Sequence, residues 1–172
     1  MRLLLTITIA GLISVAAQDA PKAPPTPVQV MQRQYEDVNR KLLAMAEDFP
    51  EDKYDYKPAP DVRTFAEQIL HATEGNFYTA KAAKAARGEK VEWTDPSREK
   101  YKTKAQVVAW VKESIAEINA VLKTQSDDQI VKKLNLWTGL LEHAGEHYGQ
   151  LVVYYRANGL VPPESREQKK SD

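Results

Sequence analysis

Four stretches of the chain repeat their apolar residues at three- and four-residue steps, and none alternates as a strand would. The first runs from about Pro27 to Asp48, with Met31, Tyr35, Val38, Leu42 and Met45 on one stripe and Pro50 closing it. The second runs from about Thr64 to Arg87. It opens on Thr64-Phe-Ala-Glu67, a capping-box pattern in which hydroxyl and carboxylate satisfy free backbone donors, and Gly88 follows as a stop. The third runs from about Lys104 to Lys123 on Val107, Val111, Ile115, Ile118 and Leu122. The fourth runs from near Leu136 to Asn158-Gly159, a C-terminal cap pair, and Pro162 and Pro163 forbid its continuation. Four helices with one apolar stripe each predict an all-α four-helix bundle. The connections between helices 2 and 3 (Gly88 to Thr103) and between helices 3 and 4 (Gln125 to Asn135) are long enough to cross a bundle end. A turn of helix is expected inside the latter, at Asp127–Lys132.

The ends read differently. Residues 1–17 carry Arg2, an apolar run from Leu3 to Val15 and small residues at Ala16-Ala17, the pattern of a signal peptide cleaved before Gln18. The run is short for a transmembrane span. Residues 18–27, with Pro21, Pro24, Pro25 and Pro27, form an extended linker. The domain occupies residues 28–163, and residues 164–172 form a polar, disordered tail. The expected location is therefore outside a bacterial cytoplasm, periplasmic or secreted, with no stable membrane association after cleavage.

Composition narrows the chemistry. The 172 residues carry 24 Lys+Arg and 24 Asp+Glu, a net charge of zero, which gives no footprint for nucleic acid. There is no cysteine, so thiolate catalysis, disulfides and cysteine-based zinc sites are excluded.

Histidine is the informative residue. The chain has three. His143 and His147 are four apart on the last predicted helix, so both imidazoles lie on one face. His71 lies well inside the second. If His71 faces the pair from a neighbouring helix, three imidazoles share a divalent metal ion such as zinc, nickel or iron and leave one position open, the layout of a catalytic rather than a structural zinc. The same spacing also suits an exposed histidine pair and a hydrogen-bonded His71, and spacing alone leaves these readings open. Gly75 and Gly139, one turn from His71 and His143, leave room for a metal, a water or substrate, or else mark close helix packing. No Glu stands three residues before any His, which excludes the Glu-x-x-His pattern of di-iron bundles, and Ala144 breaks a His-Glu-x-x-His zinc motif. Gln68, Tyr78, Glu142 and Glu146 are the neighbours able to orient the imidazoles or bind substrate.

The segment Glu142-His-Ala-Gly-Glu-His147-Tyr-Gly-Gln-Leu-Val-Val-Tyr-Tyr-Arg-Ala-Asn-Gly-Leu-Val-Pro-Pro163 resembles the last core helix of the DinB-like superfamily. Thr64-Phe-Ala-Glu-Gln-Ile-Leu-His71, with Tyr54-Asp-Tyr-Lys-Pro58 before it, resembles an earlier part of the same pattern. The resemblance covers about residues 27 to 163. It implies a four-helix bundle whose divalent metal is held by one histidine on the second helix and a His-x-x-x-His pair on the last, here His71, His143 and His147. Some relatives are thiol-dependent transferases or isomerases using low-molecular-weight thiols, which are mainly cytosolic; an export signal departs from that setting. The expectation is an exported, metal-dependent enzyme of transferase or hydrolase type acting on a small molecule. The alternative is a non-catalytic metal- or ligand-binding bundle of the cell envelope. A homodimer is left open.

Overall fold

Capping boxes set the start of every helix but the last. In the computed structural model, which describes residues 23–167, Thr26, Thr64, Thr103 and Ser126 each accept a hydrogen bond from a backbone N–H three residues on. Gln29, Glu67, Gln106 and Gln129 return one to the cap backbone. The helices they open are α1 (Pro27–Asp48), α2 (Phe65–Lys84), α3 (Lys104–Lys123) and α4 (Asp127–Lys132). The fifth, α5 (Leu134–Ala157), follows α4 across Lys133 without a side-chain cap. Short 3-10 turns at Glu51–Lys53 and Pro163–Ser165 complete the order. The described residues contain four long helices and no strand, as the apolar periodicity predicts.

The boundaries shift where the tertiary structure intervenes. The second helix ends at Lys84 rather than Arg87. Lys133 Nζ donates to the carbonyls of Ala82 and Ala83 at 3.0 and 2.8 Å and so caps the α2 C-terminus with a positive charge. The last helix begins two residues earlier than expected, at Leu134. It ends as predicted near Asn158, with Gly159 at φ 69° and Leu160 N–H returning to the Tyr155 carbonyl at 2.9 Å.

α2 packs against α3 and α5, and α1 packs against the same two. α1 therefore stands diagonally across from α2, and α3 across from α5. The link from α1 to α2 and the α4-containing link from α3 to α5 both cross a bundle end. α2 and α3 are neighbours, and a short hairpin would have joined them. Residues 85–103 are longer than that connection requires, and they reach the histidines.

The core divides along the bundle axis. One apolar half gathers Phe49, Tyr54, Phe65 and Tyr155, with Phe49 stacked on Phe65 at 3.8 Å between ring centroids. The other gathers Tyr35, Ile118, Ile130 and Trp137. Between them lies a buried polar layer in which Asn76 Nδ2 donates to Asn39 Oδ1 at 2.9 Å and to Ser114 Oγ at 3.1 Å, joining α1, α2 and α3. His143 occupies this level on α5, between the buried Leu140 and Ala144.

At the C-terminal end the predicted tail is tied down further than expected. Glu164 pairs with Arg40 at 2.6 Å and Arg166 with Asp48 at 2.5 Å, so α1 holds these residues. The predicted signal peptide, the first half of the linker and residues 168–172 lie outside the described residues. Residues 23–26 of the linker are exposed and carry no regular structure. No helix among the described residues is long and apolar enough to cross a membrane.

Candidate metal centre

His71 on α2 and His143 and His147 on α5 converge. Ring centroids are 5.2 Å apart for His71 and His143, 4.6 Å for His71 and His147, and 4.3 Å for His143 and His147. One nitrogen of each ring lies within 4.8 Å of the others. Nitrogens bound at about 2.1 Å to a tetrahedral ion stand about 3.4 Å apart, so rotamer-scale ring movements close the triad around a metal.

Glycine 75 makes this approach possible. A Cβ there would sit 2.9 Å from His143 Cδ2 and 2.7 Å from Leu140 Cδ1, closer than packed carbon atoms approach. Gly139 has open space where its Cβ would be, so the two glycines that look alike in sequence differ in role.

The electrostatics favour neutral rings. Burial, then the neighbouring His147 and His71, lowers His143 to about 4. Burial also lowers His147, opposed by its bond to Gln150. Neutral imidazole is the ligand form. His143 Nε2 is buried without a hydrogen-bond partner. Three nitrogen donors of this kind fit zinc, nickel or iron(II).

Each imidazole has a fixed neighbour. Asp95, from the connection between α2 and α3, lies 2.6 Å from His71 Nδ1 through Oδ1. Trp93 Nε1 donates to the same oxygen at 2.7 Å, and Arg63 pairs with Oδ2 at 3.2 Å. Burial pushes the Asp95 carboxyl up, but the bonds from Trp93 and His71 and the charges of His71 and Arg63 outweigh it, leaving the pKa below the usual range. His147 Nδ1 meets Gln68 Nε2 and, at 3.1 Å, Gln150 Oε1; the two amides join at 2.8 Å. Donation from Nδ1 to an amide oxygen leaves the Nε2 lone pair for a metal. The Trp93 ring lies 5.4 Å from His71 and 5.1 Å from His143 between centroids.

The other sequence candidates divide. Gln68 stands beside His147. Tyr78 is one ring further out, 5.3 Å from Trp93. Glu142 and Glu146 are exposed on α5, and the imidazole nitrogens are met instead by Asp95, Gln68 and Gln150. Sequence reading missed Asp95, Trp93 and Gln150 as neighbours of the site. Glu74, one turn beyond His71 on α2, is buried, and burial raises its carboxyl against the lowering charge of Lys81. A tryptophan and an aspartate in an otherwise polar loop were the available signal.

Three clefts surround the triad. One of about 580 Å³ is lined by Arg63, Gln68, Gln150 and Tyr154. A second, of about 640 Å³, is lined by Lys57, Arg63, Asp95 and Arg98. A third, of about 190 Å³, lies between Tyr78, Trp93 and Leu140.

The fold agrees with what comparison with known proteins finds. The model of the DinB superfamily matches residues 34–153, and the chain belongs to that superfamily. No curated protein matches it. The matched span contains all three histidines and both faces on which they stand.

Proposed function

We propose that this DinB-superfamily protein is an exported enzyme that uses a divalent metal ion held by His71, His143 and His147 to act on a small molecule by group transfer or hydrolysis. The observation that carries the reading is the convergence of three imidazole nitrogens within 4.8 Å, with burial lowering the pKa of His143 and His147. Three protein ligands leave a coordination position for substrate. When bound, the ion supplies Lewis-acid polarisation of a substrate atom. The chain's own residues do the rest. Asp95 orients His71 and strengthens it as a donor, Gln150 accepts from His147 Nδ1 and so leaves its Nε2 for the ion, and Gly75 gives His143 its place. Trp93 shields the His71 and His143 side from water. Glu74 is the buried carboxyl nearest in sequence to a ligand and supplies a group able to carry a proton.

One observation favours the non-catalytic alternative: the three histidines line none of these three clefts, and His71 and His147 stand behind Asp95 and the Gln68–Gln150 pair. A metal kept for binding or structure would sit in such a place.

Metal analysis of the purified protein tests the shared core of both readings. One equivalent of divalent metal is expected, with most of it lost when any one histidine becomes alanine. A triple alanine variant that retains the metal overturns the site. Turnover of ester, amide or activated-thiol substrates by the loaded protein, abolished by the same variants, separates enzyme from binding protein. The N-terminus of protein from its native host, expected near Gln18, tests export.

A further inference from the structure

Arg63 stands at the junction of two clefts that neighbour the histidine triad. It lines both. It directly precedes Thr64, the cap of α2, and its carbonyl accepts from Tyr154 Oη at 2.5 Å, so its backbone is fixed from α5. Its guanidinium gives one nitrogen to Asp95 at 3.2 Å, while the side chain remains 42% exposed. A guanidinium has five N–H donors in a planar fork, and a single contact leaves a free edge. Its positive charge also reaches His147 and Tyr154 on α5, of which Tyr154 lines the smaller cleft.

The position relative to the triad is bounded. His71 Nδ1 to Asp95 is 2.6 Å and Asp95 to Arg63 is 3.2 Å. Adding the widths of an imidazole and a carboxylate and a bond of about 2.1 Å to the ion places the guanidinium no more than about 12 Å from the coordination centre. A small molecule with a metal-binding group at one end can span that distance. Gln68, Gln150, Val62 and Val153 line the same cleft as Arg63, and the Gln68–Gln150 amide pair meets His147 Nδ1 from that side.

We infer that Arg63 anchors the anionic end of the substrate, and that this end is a carboxylate. The inference rests on the metal centre proposed above. A carboxylate matches the free edge of one guanidinium in a paired, charge-assisted contact. A phosphate dianion is disfavoured in the smaller cleft because Arg63 is the one cation in its lining, Asp61 stands beside it there, and Asp95 already pairs with the same guanidinium. The substrate class is thus a small monocarboxylate whose far end reaches the metal.

The test uses zinc-loaded protein and two series of probes, four to eight carbons long: ω-carboxyalkyl hydroxamates and the alkyl hydroxamates of equal length. Hydroxamate binds zinc in both, and only the first carries the carboxylate. Titration calorimetry should show about a tenfold preference for the carboxylate at the length that spans the gap. The variant R63M should lose that preference, keep its affinity for the alkyl series and hold zinc as tightly as the parent; R63K should keep part of the preference. Equal binding of both series at every length overturns the inference while leaving the metal centre standing. So does a preference that survives R63M, or a phosphonate-ended probe that binds more tightly than the carboxylate. A loss of zinc in R63M shows that Arg63 acts through Asp95 instead, which also overturns it. Failure of the parent to take up zinc removes the metal centre and this inference together.

Discussion

The Nδ1 of His71 lies 2.6 Å from Asp95 Oδ1, an α2 histidine held by a carboxylate from the connection that leads away from it. Metal-binding histidines commonly hand their second nitrogen to such a group, which fixes the ring and raises its basicity. D95N keeps the shape and removes the charge, and D95A removes both. Metal affinity is expected to fall about tenfold or more in D95A and by less in D95N, by the usual cost of losing such a partner. Competition titration against a chromophoric chelator measures it. Unchanged affinity in D95A would mean that the loop carboxylate is incidental.

Gly75 and Gly139 should respond oppositely to alanine. G75A pushes a methyl group against His143 and Leu140, so metal affinity should fall although alanine favours the helix. G139A meets nothing within 4 Å and should stabilise the protein by about 0.5–1 kcal/mol through helix propensity alone. Urea unfolding and metal titration of both variants check the pair.

These two glycines show how far the sequence could be read. Both interrupt an apolar helical pattern beside a histidine, and only the packing of α2 against α5 tells them apart. Periodicity carried the four long helices because each buries one continuous stripe, such as Val107, Val111 and Ile118. It misplaced the end of α2 because Lys133, fifty residues away, supplies the charge that caps it. The pair His143 and His147 was legible because its i, i+4 spacing fixes the geometry locally, whereas His71 joined it only through the resemblance to the DinB-like pattern. Asp95 and Trp93 were not, because a long loop has no period and its path over the site is set by tertiary contacts. Glu142 and Glu146 looked attractive for adjacency, yet a step of one residue turns a side chain about 100° around a helix, and here that turn leads to solvent.

Trp93 should report on the metal. Its ring stands 5.1 Å from His143 and 5.4 Å from His71, whereas Trp137 is fully buried in the other apolar half. Addition of a paramagnetic ion such as nickel(II) or cobalt(II) should quench part of the tryptophan emission with a stoichiometry of one. The quenching should be much smaller in W93F, which retains Trp110 and Trp137. Equal quenching in W93F would place the ion elsewhere.

Glu74 sets a pH dependence that can be isolated by difference. Burial raises its folded pKa above that of the unfolded chain. Below the unfolded value, near 4.3, both states hold the proton and the residue costs nothing in either. As pH rises through the folded value, the native state must keep a buried carboxylate that the unfolded chain solvates, so stability contributed by the protonated form is lost. Glutamine removes that loss. E74Q should therefore gain stability relative to the parent as pH is raised from 4 to 8, with little difference at the acid end. Metal-free protein unfolded in urea across this range gives the measurement, since the histidines are unchanged in every variant and cancel in the difference. A difference between E74Q and the parent that stays flat with pH would show that Glu74 is charged and well solvated in the native state, and would remove it as a proton carrier.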